Sequence, residues 1–187
     1  MKSICQSFPI THTEFEELNK SFGKLCFYAA HQLQKKNSKN NYTDDFDDIN
    51  QELQLSIVRA GSYYKRQIYI ERCFEVVYEY NSDPFLLEIV NKLRDLWTNR
   101  TRHGANRQKF GGRQEVMLER MVIRTVPRGK RPDKMSQLTI DTKFSTYCKA
   151  IVWNGQKSMG KKITREKSIR SGQVSLSEFD YLGSSEL

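Results

Sequence analysis

Apolar residues recur at intervals of three and four along most of the chain, the period of a helix with one buried face. The first run holds Phe15, Leu18, Phe22, Leu25, Ala29 and Leu33, and Thr13 with Glu16 has the spacing of a capping box ahead of it. A polar stretch, KKNSKNNYT (Lys35 to Thr43), interrupts the pattern. Phe46, Ile49, Leu53, Ile57 and Ala60 then line a second helix, and a third is predicted over Gln67 to Tyr80. Asp83 followed by Pro84 supplies an N-cap and the proline favoured at the first helical position. A fourth helix is predicted to follow, with Leu86, Ile89, Val90, Leu93 and Trp97 on its inner face. A short helix around Gln114 to Val126 precedes VPRGKRPDK, whose prolines and glycine mark a linker or an ordered loop. The last helix starts near Lys143, capped by Asp141 or Thr142. It places Phe144, Tyr147, Cys148, Ile151 and Val152 on one face and Lys149, Trp153, Asn154 and Lys157 at the sides. The predicted fold class is all-α.

Composition narrows the function. A length of 187 residues with 37% hydrophobic content suits one compact domain, or one domain with tails, and not a large multidomain enzyme. The four cysteines (Cys5, Cys26, Cys73, Cys148) form no CxxC pair and the N-terminus lacks the apolar run of a signal peptide, so reduced thiols in a cytosol are expected. No apolar run approaches the roughly 20 residues of a bilayer-spanning helix. His12, His31 and His103 are too dispersed to suggest a metal site, and no metal or other cofactor is expected. The net charge of +9 divides unevenly: residues 1–90 carry 10 basic and 13 acidic side chains (−3), residues 91–187 carry 21 and 9 (+12). A basic half of this kind favours phosphate as a partner.

Two charged clusters each leave two readings. Asp44, Asp45, Asp47 and Asp48 open the second helix, where the helix dipole favours negative charge; with Glu52 they could instead serve a magnesium-dependent nuclease. TNRTRHGANRQKFGGRQE holds Arg100, Arg102, Arg107, Lys109 and Arg113 among three glycines without matching a phosphate-loop motif. It is either a solvated loop or a contact to a nucleic-acid strand.

Two separated segments add a sharper signal. FDDINQELQLSIVRAGSYYKR (Phe46 to Arg66) and KFSTYCKAIVWN (Lys143 to Asn154) together resemble region 2 of the bacterial sigma-70 family, which runs close to FxDLIQEGxIGLMRAxxxF and then KFSTYAxWWIRQ. Asp48, Gln51, Glu52, Leu55, Arg59 and Ala60 fall in register in the first part, and Lys143, Phe144, Ser145, Thr146 and Tyr147 in the second. The resemblance implies a promoter-specificity subunit of RNA polymerase, not an enzyme. It implies that Asp48, Gln51, Glu52, Leu55 and Arg59 face the clamp helices of the largest polymerase subunit. The second segment would open a minus-ten-like element in promoter DNA, with Tyr147 beside a flipped base. Lys143, Lys149, Trp153, Asn154 and Lys157 are the further DNA-binding candidates, followed by Lys161, Lys162 and Arg165 of the basic stretch KKITREKSIRSG.

The chain departs from the family pattern at identifiable places. The tandem tryptophans of the family fall on Ala150 and Ile151, and Trp153 stands where an arginine is usual. About 75 residues separate the two segments where the family has a few. Nothing past residue 160 is expected to form a separate helix-turn-helix domain. That economy is similar to the minimal late-transcription sigma factors of T4-like bacteriophages, whose C-terminal motif, SLDFLYE in type, binds the DNA sliding clamp. This chain has VSLSEFDYLGSSEL, so Leu176, Phe179, Tyr181 and Leu182 are the clamp-binding candidates; the alternative is a segment that folds back on its own domain. The organisation expected is a region-2-like helical domain over 1–160 with an insertion at about 67–140, then a basic linker and an acidic, apolar, flexible tail over 161–187. The expected partners are core polymerase, promoter DNA, the sliding clamp and a late-transcription coactivator, in the host bacterial cytoplasm. The alternative is a basic helical DNA- or RNA-binding protein with no polymerase partner.

Overall fold

The computed structural model describes residues 7–38, 46–99 and 110–182, with side chains in the last helix as far as Arg165 and at Ile169. The described residues are all-α: α1 (His12–Ser38), α2 (Phe46–Tyr80), α3 (Pro84–Thr98), α4 (Gly112–Thr125), a 3₁₀ turn (Arg128–Lys130) and α5 (Thr142–Leu182), with no strand among them. They fall into two compact units. One comprises Ile10–Gly61 and Thr139–Leu187, the other Met1–Pro9 and Ser62–Leu138.

Three local features differ from the periodicity reading. The capping box that starts α1 is made by Thr11 and Glu14, not Thr13 and Glu16: the Thr11 N–H donates to Glu14 Oε2 at 2.7 Å and the Glu14 N–H to Thr11 Oγ1 at 3.3 Å. The same T-x-x-E spacing occurs twice; the earlier pair starts the helix two residues sooner, and its Glu14 side chain is itself buried. On this helix Cys26 and Ala30 belong to the buried stripe, whereas Phe15 is exposed and Leu25 half-buried. Second, the predicted helices over 46–60 and 67–80 are one helix of 35 residues. Gly61 lies inside it, and a glycine there costs about 1 kcal/mol relative to alanine. Ala60, Gly61 and Ser62 are all buried, and the helix continues through them to Tyr80. Third, the backbone of α5 remains helical through residues 161–182, within the stretch expected to be a basic linker and flexible tail. It contains no proline, and its first half carries Lys161, Lys162, Arg165, Glu166, Lys167 and Arg170, which are good helix formers.

In the unit formed by residues 10–61 and 139–187, α5 packs along α1. Phe144 meets Phe22 edge to face at 6.2 Å between ring centres, and the buried Gln156 donates from Nε2 to the Ala29 carbonyl at 2.8 Å. A Cβ placed on Gly160 would stand 3.3 Å from Leu33 Cδ1, and one on Gly155 would stand 3.1 Å from Leu53 Cδ2 of α2. Bare glycines on two different sides of α5 therefore let α1 and α2 each approach closely. Asp141 caps the helix, accepting from the Phe144 N–H at 2.7 Å.

The unit of residues 1–9 and 62–138 has its own core, in which Ile70, Phe74 and Val77 of α2 meet Val90, Leu93 and Trp97 of α3 and Leu118 and Val122 of α4. As expected, α3 starts at Asp83 and Pro84, with Asp83 Oδ1 accepting from the Phe85 N–H at 3.0 Å. The stretch after α4 is an ordered loop: Arg131 reaches back to donate to the carbonyls of Val126 and Ile123 at 3.0 and 2.7 Å. Arg66 donates through Nε and Nη2 to Glu115 Oε2 at 3.0 and 2.7 Å, with its guanidinium over the Trp97 ring.

Cys26, Cys73 and Cys148 are free and buried. Burial pushes Cys26 up to about 11 and Cys73 to about 12; Cys148 also rises to about 12, through burial and then the neighbouring Cys26. A thiol held neutral is a poor nucleophile. At pH 8 these three cysteines are expected to resist iodoacetamide in the folded chain and to be fully alkylated in guanidinium chloride, read by peptide mass spectrometry. Because the folded values are raised, this contribution to stability is complete below about pH 9 and is lost as pH climbs toward 11 to 12.

Candidate polymerase and nucleic-acid interface

The first candidate surface is the outer face of α2. Ile49, Leu53, Ile57 and Ala60 bury one side of the helix. Asp48, Gln51, Glu52, Leu55 and Arg59, spaced by three and four, are all exposed together on the other. The structure thus gathers the five residues expected to face the polymerase into one stripe. Two details mark this stripe. Leu55 is 48% exposed in the middle of a polar face. Arg59 pairs with Glu52 at 3.1 Å, but both side chains are well exposed. Such a pair contributes about 0–1 kcal/mol and exchanges readily for contacts with another molecule.

The second surface lies on α5. Phe144, Cys148 and Val152 point inward and are fully buried, with Ile151 half-buried beside them. Tyr147, read from its spacing as part of that inner face, is 37% exposed. At about 100° per residue, Lys143, Tyr147, Asn154, Lys157, Lys161 and Arg165 share an arc of about 80° that extends about 33 Å. All six are exposed. That length corresponds to roughly ten base steps of a duplex, and the stripe carries four cations and one ring.

Lys149, Trp153 and Lys162 fall outside this arc. Trp153 is half-buried and meets Tyr28 of α1 edge to face, the ring centres 6.4 Å apart. Tyr147 and Trp153 are therefore not brought together: six residues on a helix turn through about 240° net. Tyr28, which donates no periodicity signal because it sits outside the buried stripe, was not legible as the partner of Trp153. Gln156 was likewise missed as a packing residue. It is polar on an apolar stripe, and only its bond to the Ala29 carbonyl explains it.

Other candidates lie partly or wholly outside the described residues. Asp44 and Asp45, and Arg100, Arg102, Arg107 and Lys109 of the basic loop, are outside them, as are the side chains of Leu176, Phe179, Tyr181 and Leu182. Asp47 and Asp48 do occupy the first turn of α2, where the helix dipole favours them. Among the described residues there is no group of three or more histidine, cysteine, aspartate or glutamate side chains placed to hold a metal ion, and no helix long and apolar enough to cross a membrane.

The chain matches no family model, no curated protein and no solved structure. Its function is therefore argued from these surfaces.

Proposed function

We propose that this chain is a sigma-type promoter-specificity factor of the minimal, late-phage kind, acting without catalysis of its own. The observation that carries the reading is the placement of the two region-2-like segments. Although about 75 residues separate them in sequence, both contribute to one compact unit, they pack together at Leu53 and Gly155, and the residues in register with the family's contacts face outward.

On this reading Asp48, Gln51, Glu52, Leu55 and Arg59 dock on core polymerase, and the α5 stripe takes the promoter. Extruding a base from the duplex costs a few kcal/mol in lost stacking, and an aromatic face restores about 1–3 kcal/mol of it. Tyr147 supplies that face. Lys143, Lys157, Lys161 and Arg165 hold phosphates on either side, which contributes affinity with little sequence information. Leu176, Phe179, Tyr181 and Leu182 would tether the factor to a sliding clamp, with a coactivator supplying upstream contacts.

The test is addition of the purified chain to bacterial core polymerase on AT-rich late promoters, reading complex formation by co-purification and opening by permanganate footprinting. Absence of both sinks the proposal. Within it, Tyr147→Ala is expected to lower opening by about tenfold or more while polymerase binding stays within twofold. Gln51→Ala combined with Glu52→Ala is expected to weaken the polymerase complex first. Equal losses in both assays would remove the division of roles. Tight, steeply salt-dependent duplex binding without polymerase would instead favour a plain nucleic-acid-binding protein.

A further inference from the structure

The unit of residues 1–9 and 62–138 presents a face that none of these contacts uses. α4 buries Leu118, Met121 and Val122. Its opposite pole consists of Arg113, Val116, Met117, Arg120, Ile123 and Arg124, all exposed. At about 100° and 1.5 Å per residue these six occupy an arc of about 120° over about 17 Å, or three turns.

Two properties set this face apart from an ordinary solvated one. Three of its six side chains are apolar and open to water: Val116 is 47% exposed, Met117 41% and Ile123 58%. Single exposed apolar residues are common on any protein, but here three alternate with three arginines on one face of a 14-residue helix. The arginines between them are also uncompensated. The two acids of α4 are engaged elsewhere, Glu115 by Arg66 at 2.7 Å and Glu119 by Lys134 at 2.5 Å. Among the described residues Arg113, Arg120 and Arg124 make no ion pair. The positive character continues into the following turn with Arg128 and Lys130, both exposed.

This chemistry chooses between partners. A phosphate backbone would be served by the arginines and would gain nothing from aliphatic side chains standing between them. An amphipathic peptide segment with an apolar stripe flanked by carboxylates satisfies both. Its apolar residues cover Val116, Met117 and Ile123, and its carboxylates accept forked hydrogen bonds from the guanidiniums. Methionine and arginine are residues enriched in protein interfaces.

We infer that the outer face of α4 is a docking surface for an acidic amphipathic segment, about three helical turns long, of a separate protein. The inference stands on α4 alone and does not depend on the promoter-factor reading.

The test is a fluorescence-anisotropy titration of the full chain with three labelled probes. The first is a synthetic 15-residue peptide with leucine at helical three-and-four spacing and glutamate elsewhere, the second has the same composition with the leucines spread around the helix, and the third is a 20-base-pair duplex. The amphipathic peptide is expected to bind about tenfold or more tighter than its rearranged control. Arg120→Glu with Arg124→Glu, and separately Val116→Ser with Ile123→Ser, are each expected to weaken it about tenfold. All four positions are exposed, so unchanged circular dichroism and melting temperature verify that the variants fold. A single Ile123→Ser variant repeats the measurement if a double variant is unstable. Equal binding of both peptides, or binding of neither, overturns the proposal. So does loss of duplex binding in the arginine variant with no effect of the serine variant on any probe, which would assign the face to nucleic acid. A tenfold gain in peptide affinity on Phe179→Ser with Leu182→Ser would make the chain's own acidic C-terminal segment the occupant, and overturns a separate partner. None of these titrations contains polymerase, so their failure and the failure of the promoter-factor reading are separate results.

Discussion

Phe144→Ala is expected to destabilise the protein by about 3–5 kcal/mol, whereas Tyr147→Ala, three residues along the same KFSTY motif, is expected to cost about 1 kcal/mol or less. The difference follows from which way each ring faces. Phe144 is fully buried against Phe22, and its removal leaves a cavity between α1 and α5 in addition to the lost transfer energy. Tyr147 is more than a third exposed, so much of its surface meets water in folded and unfolded chains alike. Urea titrations of the two variants followed by circular dichroism check this. Equal loss from both would mean that Tyr147 is a packing residue, and the assignment of a stacking role to it would fall. The comparison also protects the functional assays, because an opening defect in a stable Tyr147 variant cannot be ascribed to unfolding.

Glu115→Ala is the second large effect, expected at about 2–4 kcal/mol. The Arg66 and Glu115 side chains are only 13% and 17% exposed, and Arg66 places two hydrogen bonds on one carboxylate oxygen. Removing the carboxylate strands a guanidinium in a poorly solvated site, which for fully buried pairs costs about 3–5 kcal/mol; the residual exposure lowers the figure. Replacing both partners is a different perturbation. Arg66→Met with Glu115→Leu removes both desolvated charges and is expected to recover most or all of the lost stability. A double-mutant cycle in denaturant measures the coupling, and a double variant as unstable as Glu115→Ala would show that the pair is not the source of the loss.

These two sites also show where the sequence was informative. Asp83 with Pro84, and Asp141 ahead of KFSTY, are starts whose chemistry is local, and they were legible for that reason. The inner stripe Phe144, Cys148, Val152 was legible because burial follows helical period. The passage of α2 through Gly61 was not, since a glycine reads locally as a break, while the apolar residues before and after it are each buried in their own unit. The pairing of Arg66 with Glu115 spans 49 positions and leaves no periodic trace. Of the candidate interface, the stripe on α2 could be read from register alone. The separation of Trp153 from Tyr147 needed the contact with Tyr28, and the outer face of α4 needed the knowledge that Glu115 and Glu119 are already engaged.

The approach of Leu53 to Gly155 has a kinetic meaning as well as a structural one. It closes a loop of about 100 residues, yet each doubling of loop length adds only about 0.6 kcal/mol, so relative to a 20-residue connection the extra cost at equilibrium is about 1.4 kcal/mol. Speed is affected more than stability, because folding slows as contacting residues lie farther apart along the chain. Leu53→Ala and Phe144→Ala both remove contacts made in that closing step, and they are expected to lower the refolding rate as well as to raise the unfolding rate, read from the two arms of a denaturant chevron.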